Sequence, residues 1–174
     1  MGLDLFVQVR VIDKKTGQII SRNRDDDYFD KKEKGFIEIC WWGLRYFWEL
    51  GYDLAEICNK HAKRNYKFPE EDVPIPLSAL PEVYRCILHC VYDEEICLQY
   101  DEKLDILRDV DDHVWIEKAS IENAKALHEW FRFIIGKNDN MQIKEEDIPN
   151  EEDRKKMKES PKNYKYEFQL FASY

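Results

Sequence analysis

Cys86, His89, Cys90 and Cys97 are the side chains of this sequence with the most obvious chemistry. Thiolate and imidazole are the preferred ligands of zinc, and residues three or four apart on a helix share one face. Their spacing nevertheless matches no common zinc-site pattern. Val83, Cys86, Ile87, Cys90 and Val91 recur instead as an apolar stripe, in which free cysteine serves as a small hydrophobe. The stripe is read as a packed helix face, with no metal and no cofactor. His128 beside Glu129, or with Cys58 and His61 brought in from another helix, has the makings of an acid–base or nucleophilic site. With six glycines in the chain, however, there is no nucleophile elbow, no H-E-x-x-H, no Walker loop and no paired-glycine dinucleotide loop. His128 is therefore read as a structural or partner-binding residue, and no residue is given a catalytic role.

Two further groups point to binding rather than chemistry. Residues 93–112 hold nine acids against Lys103 and Arg108, a net −7 in twenty residues. Such a run is either a solvated face or a negative surface for a basic groove on a partner, and Asp101, Glu102, Asp105, Asp109, Asp111 and Asp112 are the residues that would present it. The stretch lacks the alternating Asp/Asn positions, central glycine and closing glutamate of an EF-hand calcium loop. The block 41–48 contains Trp41, Trp42, Arg45, Tyr46, Phe47 and Trp48, residue types that dominate interface hot spots. Consecutive aromatics cannot all face one way, so some belong to the core; Trp41, Trp42 and Arg45 are the partner-contact candidates.

Composition narrows the classes. The 174 residues are 44% hydrophobic and 14% aromatic, enough for a real core in one domain covering 1–174. The net charge of −9 opposes direct nucleic-acid binding, which lysine and arginine drive by releasing counterions. Five cysteines, an odd number, behind the start Met1-Gly2-Leu3-Asp4 are expected to be reduced thiols in a cytoplasm, and the apolar runs fall far short of a membrane span.

The elements that must position these groups follow from periodicity. Leu3, Leu5, Val7, Val9 and Val11 alternate with Asp4, Phe6, Gln8, Arg10 and Ile12, predicting a strand with one face on a core; a turn through Gly17 and a returning strand Gln18-Ile19-Ile20 predict a hairpin. Residues 22–34 read as a mobile loop before a strand at 36–40. The pattern from Leu44 to Asn65 is helical, bent or split at Gly51. Prolines 69, 74 and 76 mark an extended connection, and Ser78 is placed to cap a helix through Tyr92. Leu98, Leu104, Ile106 and Leu107 fit a short acidic helix, residues 113–116 a short strand, Ser120 to Ile135 a helix, 151–158 a further helix, and 164–172 a final strand.

The opening Met1-Gly2-Leu3-Asp4-Leu5, together with Ala124-Lys125-Ala126-Leu127-His128-Glu129-Trp130-Phe131, resembles a group of small phage and bacterial proteins that begin M-G-L-D and carry a later I/L-H-x-W-F helix. That group has an aromatic residue and R-K-A-N ahead of the His-Trp-Phe element, and the Lys and Asn positions differ here. The resemblance implies a mobile-element origin and brings no activity to His128 or Trp130. The expected fold is α+β: an antiparallel sheet of the N-terminal hairpin, the strand near 36–40 and the C-terminal strand, packed against four or more helices. The expected function is a non-enzymatic binding protein, an inhibitor of a basic, nucleic-acid-handling host enzyme. The alternatives are a small metal-dependent enzyme using His128 and acidic residues, and a self-associating homodimer.

Overall fold

A computed structural model describes residues 4–43, 48–89, 100–101, 106–107, 115–137 and 140–173. In chain order its elements are β1 (Asp4–Asp13), β2 (Phe36–Gly43), α1 (Trp48–Ala62), β3 (Val73–Ile75), α2 (Leu80–His89), β4 (Tyr100–Asp101), β5 (Ile106–Leu107), α3 (Trp115–Ile134), α4 (Glu151–Glu159) and β6 (Tyr164–Ser173). Short 3₁₀ turns at Leu77–Ala79 and Pro161–Asn163 lead into α2 and β6. β2, β1, β6 and β3 form, in that order, a four-stranded sheet whose neighbours are all antiparallel. The fold is α+β, with four helices packed against this sheet among the described residues.

The first and last strands pair in the middle of the sheet, in register from Asp4↔Ser173 to Asp13↔Tyr164. The alternation of β1 buries Leu5, Val7, Val9 and Val11, and that of β6 buries Tyr164, Tyr166, Phe168 and Leu170. Opposite this layer lie Leu50, Leu54 and Cys58 of α1, Val83, Tyr84 and Ile87 of α2, Ala124, Leu127 and Phe133 of α3, and Met157 of α4, each set at helical spacing. α4 begins at Asn150, whose side chain accepts from the Asp153 amide at 3.1 Å, and carries Glu151, Glu152 and Asp153 in its first turn, where acids complement the helix dipole. Among the described residues no helix is long and apolar enough to cross a membrane.

Several local expectations are revised. The turn after β1 forms, with the Gly17 amide donating to the Asp13 carbonyl at 2.8 Å, but its returning limb makes only the bridge Ile12↔Ile19. On that side of β1 the strand partner is β2 instead, paired from Asp4 to Arg10. Residues 22–34 are tied down rather than free: Asn23 Nδ2 donates to the Phe36 carbonyl, the Gly35 amide donates to Asp26, and Ser21 Oγ donates to the Gly35 carbonyl. α1 runs unbroken through Gly51, which is there for packing, since a Cβ would lie 2.6 Å from Cε1 of Phe68. The connection with the prolines contains a true strand, β3, on the sheet edge where proline is tolerated. Trp115 and Ile116 open α3 rather than forming a strand; His113 and Val114 lie outside the described residues. Tyr100–Asp101 pairs with Ile106–Leu107 where a short helix was expected.

Candidate functional site

Among the described residues, the sheet has one face against the helices and one without them. Antiparallel register stacks the open-face side chains into three cross-strand rows, because directly opposed residues point the same way. Trp41, Phe6 and Phe171 form the first row, with the Phe6 and Phe171 ring centroids 6.0 Å apart. Glu38, Gln8 and Gln169 form the second, in which Gln169 Nε2 donates to Gln8 Oε1 at 2.9 Å. Phe36, Arg10 and Glu167 form the third, with the Arg10 guanidinium 4.5 Å above the Phe36 ring centroid and 2.6 Å from Glu167 Oε2.

Trp41 and Glu38 are three residues apart, and in a regular strand they would face opposite ways. They share a face because the register shifts between Val7↔Cys40 and Gln8↔Glu38, leaving Ile39 as an extra, bulged residue. The same bulge turns Trp42 onto the helix side. Trp41 is thus 55% exposed and Trp42 only 2% exposed, so Trp42 is a core residue and not a partner contact. Trp41 is held in place from α3: Asn123 Nδ2 donates to its carbonyl at 3.0 Å, and its amide faces Asn123 Oδ1 at 3.4 Å. Asn123 thereby occupies backbone groups on the outer edge of β2.

The loop 22–35 overhangs the second and third rows and encloses a groove of about 300 Å³ with an apolar floor of Phe6, Phe29, Phe36 and Phe171. Asp25, Glu33, Glu38 and Asp72 stand around it, four carboxylates against the one cation of its lining, Lys32. Restricted access to water raises the Glu38 carboxyl above its ordinary value; Asp25 adds to this, and Arg24 opposes it. Asp72 is raised for the same reason, reinforced by Glu33. Carboxylates crowded over aromatic rings suit a cationic group on an aliphatic stem, a lysine or arginine of another protein, better than a small anion. Tyr28, on the same loop, is 90% exposed.

The other candidates fall in different places. Asp101 lies in β4, paired with Ile106, while Glu102, Asp105, Asp109, Asp111, Asp112 and Arg45 lie outside the described residues. Cys86 packs against the core next to Cys58, whose buried thiol is pushed up to about 12, first by burial and then by Cys86. His89 closes α2, and Cys90 and Cys97 lie outside the described residues. Among the described residues no group of three His, Cys, Asp or Glu side chains could hold a metal ion. His128 is 6% exposed, its ring edge-on to Tyr84 at 5.2 Å. His61 does not join the buried Cys58. Its Nε2 lies 2.7 Å from Glu82 Oε2 and its Nδ1 3.2 Å from Ser78 Oγ, so Ser78 ties the end of α1 to the start of α2 rather than capping a helix. The hydrogen bond from His61 holds the Glu82 carboxyl below its ordinary value.

Periodicity along the chain does not reveal the open-face rows, because their members come from three strands far apart in sequence. The one local signal is the broken alternation at Ile39. Neither the family models, nor the curated proteins, nor the solved structures give a match to this chain.

Proposed function

We propose that the chain is a non-enzymatic binding protein of phage or mobile-element type that docks a basic protein on the open face of its sheet. The partner class is a host nucleic-acid-handling enzyme, which the protein would inhibit by occupying its basic groove. One observation supports this above the rest: the exposed Trp41 continues an aromatic row beside a groove rimmed by Asp25, Glu33, Glu38 and Asp72. Tryptophan and tyrosine with desolvated charges around them are the usual anchors of protein interfaces, and complementary charge speeds encounter. The net −7 of residues 93–112 adds to the same sign. The enclosed His128, edge-on to Tyr84, lends no support to the enzyme alternative.

The test is capture of purified candidate basic enzymes and of host-lysate proteins, identified by mass spectrometry, by wild type and three variants. Trp41→Ala and Glu38→Lys report on the sheet face, and an Asp105→Lys/Asp109→Lys pair reports on the acidic stretch. A basic nucleic-acid enzyme bound by wild type and lost with Trp41→Ala and Glu38→Lys is the expected result. Loss with the Asp105/Asp109 pair alone would move the interface to residues 93–112. Unchanged capture in all three, or a concentration-dependent dimer that Trp41→Ala abolishes, would reject the reading. A cation over Glu38 also draws its raised carboxyl back down, so docking releases a proton and affinity rises as the pH climbs from the ordinary 4.5 through the raised value.

A further inference from the structure

The two edges of the sheet are treated differently. On β2, Asn123 covers the outer backbone at Trp41. On the opposite side, β3 pairs with β6 only at Leu170, Gln169 and Phe168. The pairing stops at Ile75 for a local reason: Pro76 has no amide to donate, and its carbonyl is taken by the Ala79 amide at 2.9 Å as the 3₁₀ turn begins. Residues 164–167 of β6 pair with β1 on one side and, among the described residues, with no strand on the other.

The vacated place is a groove of about 830 Å³, and its lining comes from both faces of β6. Tyr166 and Phe168 belong to the core side, Lys165 and Glu167 to the open side; both can line one groove only where it lies along the strand's edge. Ile75, Leu77 and Ile134 form its apolar wall. Its charge opposes that of the whole chain: Arg10, Lys14, Lys32, Lys162 and Lys165 meet the single carboxylate of Glu167, in a protein of net charge −9. Glu167 is already engaged by Arg10 and, at 3.4 Å, by Lys165, while among the described residues neither Lys32 nor Lys162 has an ion-pair partner.

We propose that this groove is a strand-addition site, in which an extended acidic segment of a partner protein pairs with residues 164–167 of β6 and continues the line of β3. Alternate residues of 164–167 turn their N–H and C=O groups outward, which supplies main-chain hydrogen bonds. Side chains of an added strand alternate between the Ile75, Leu77 and Ile134 wall and the lysines, so the matching segment alternates apolar and acidic residues. This groove adjoins the open-face groove, sharing Lys32, Phe36 and Gln169 with it, but its edge backbone and its charge differ, and strand addition here does not depend on the partner class proposed there.

The test uses the intact protein and a fluorescein-labelled synthetic peptide of alternating valine and glutamate, followed by fluorescence anisotropy at low and moderate salt. Two versions of the peptide with alternate backbone amides methylated, one for each edge, serve as controls. Binding should weaken roughly tenfold in Lys162→Glu/Lys165→Glu, whose side chains are exposed, while the melting curve shifts only by the small loss of the solvent-exposed Lys165–Glu167 contact. One methylated version should lose binding and the other retain it, because an added strand uses only one of its edges. Equal binding by both methylated versions would overturn strand addition. Unchanged affinity in the lysine variant would overturn the site and leave those lysines as guards against edge-to-edge association. A single-stranded oligonucleotide that displaces the peptide and binds more tightly would reassign the groove to phosphate recognition.

Discussion

Replacing Arg10 should cost more than any other single change on the open face, because one side chain ties β1 to two strands and the overhanging loop. Its guanidinium meets Glu167 at 2.6 Å, lies 4.5 Å over Phe36 and donates to the Lys32 carbonyl at 2.7 Å. The Arg10 and Glu167 side chains are 14% and 29% exposed, so the pair is less screened than a surface ion pair. Taking about 1–2 kcal/mol for the pair, ~0.5–1 for the cation–π contact and about 1 for the carbonyl bond, Arg10→Ala should destabilise the fold by about 3 kcal/mol. A double-mutant cycle with Glu167→Gln, read from urea midpoints, should return a coupling of about 1–2 kcal/mol at neutral pH. Burial pushes the Glu167 carboxyl up, but the hydrogen bond and charge of Arg10, with Lys165, outweigh it and leave the group below its ordinary 4.5. The unfolded chain therefore takes up this proton at the higher pH. The stabilisation is complete above 4.5 and is lost as the pH falls through the lowered native value. The stability gap between wild type and Glu167→Gln should close over that range. A coupling near zero, or a gap that ignores pH, would refute the assigned role.

Other substitutions separate packing from surface. Gly51→Ala gains about 1 kcal/mol of helix propensity but sets a Cβ 2.6 Å from the buried Phe68 ring; overpacking of ~1–3 kcal/mol should win, for a net loss of about 1 kcal/mol by urea titration, and a net gain would refute the packing role. Trp42→Ala should cost ~3–5 kcal/mol and Trp41→Ala no more than about 1, with partner capture lost only through Trp41 as a surface effect; equal costs would refute the bulge at Ile39. Cys58, its thiol pushed up to about 12, should resist iodoacetamide in the folded protein and label only in denaturant, as followed by peptide mass spectrometry; native labelling at the unfolded rate would contradict its burial.

Elements that carry their own signal are legible in the amino-acid sequence alone. The alternation Leu5, Val7, Val9, Val11 and that of 164–172 each specify a strand with one buried face, and Asn150, the acids after it and Ser160-Pro161 delimit α4. Periodicity also places the body of α3, although not its start at Trp115, because the helix begins inside a segment that reads equally well as a short apolar strand. β3 is hidden for a related reason. Three residues around a proline have too little pattern of their own, and their pairing with β6 makes them a strand.

The candidate sites divide along the same line. Residue types alone determined that the chain has a core, an acidic surplus and aromatics in excess of what one helix face can bury, because these are properties of composition and local spacing. Which aromatic reaches solvent was decided by the bulge at Ile39, a feature of β2 against β1 that neither strand encodes in isolation. The rows Trp41–Phe6–Phe171 and Glu38–Gln8–Gln169 exist only because the first and last strands pair at the centre of the sheet. Among the described residues, the edge at 164–167 is left without a strand neighbour because β3 turns away at Pro76, far from it in sequence. Local sequence sets periodicity and charge, whereas a surface shared by distant strands is set by register, which depends on the packing of the whole sheet.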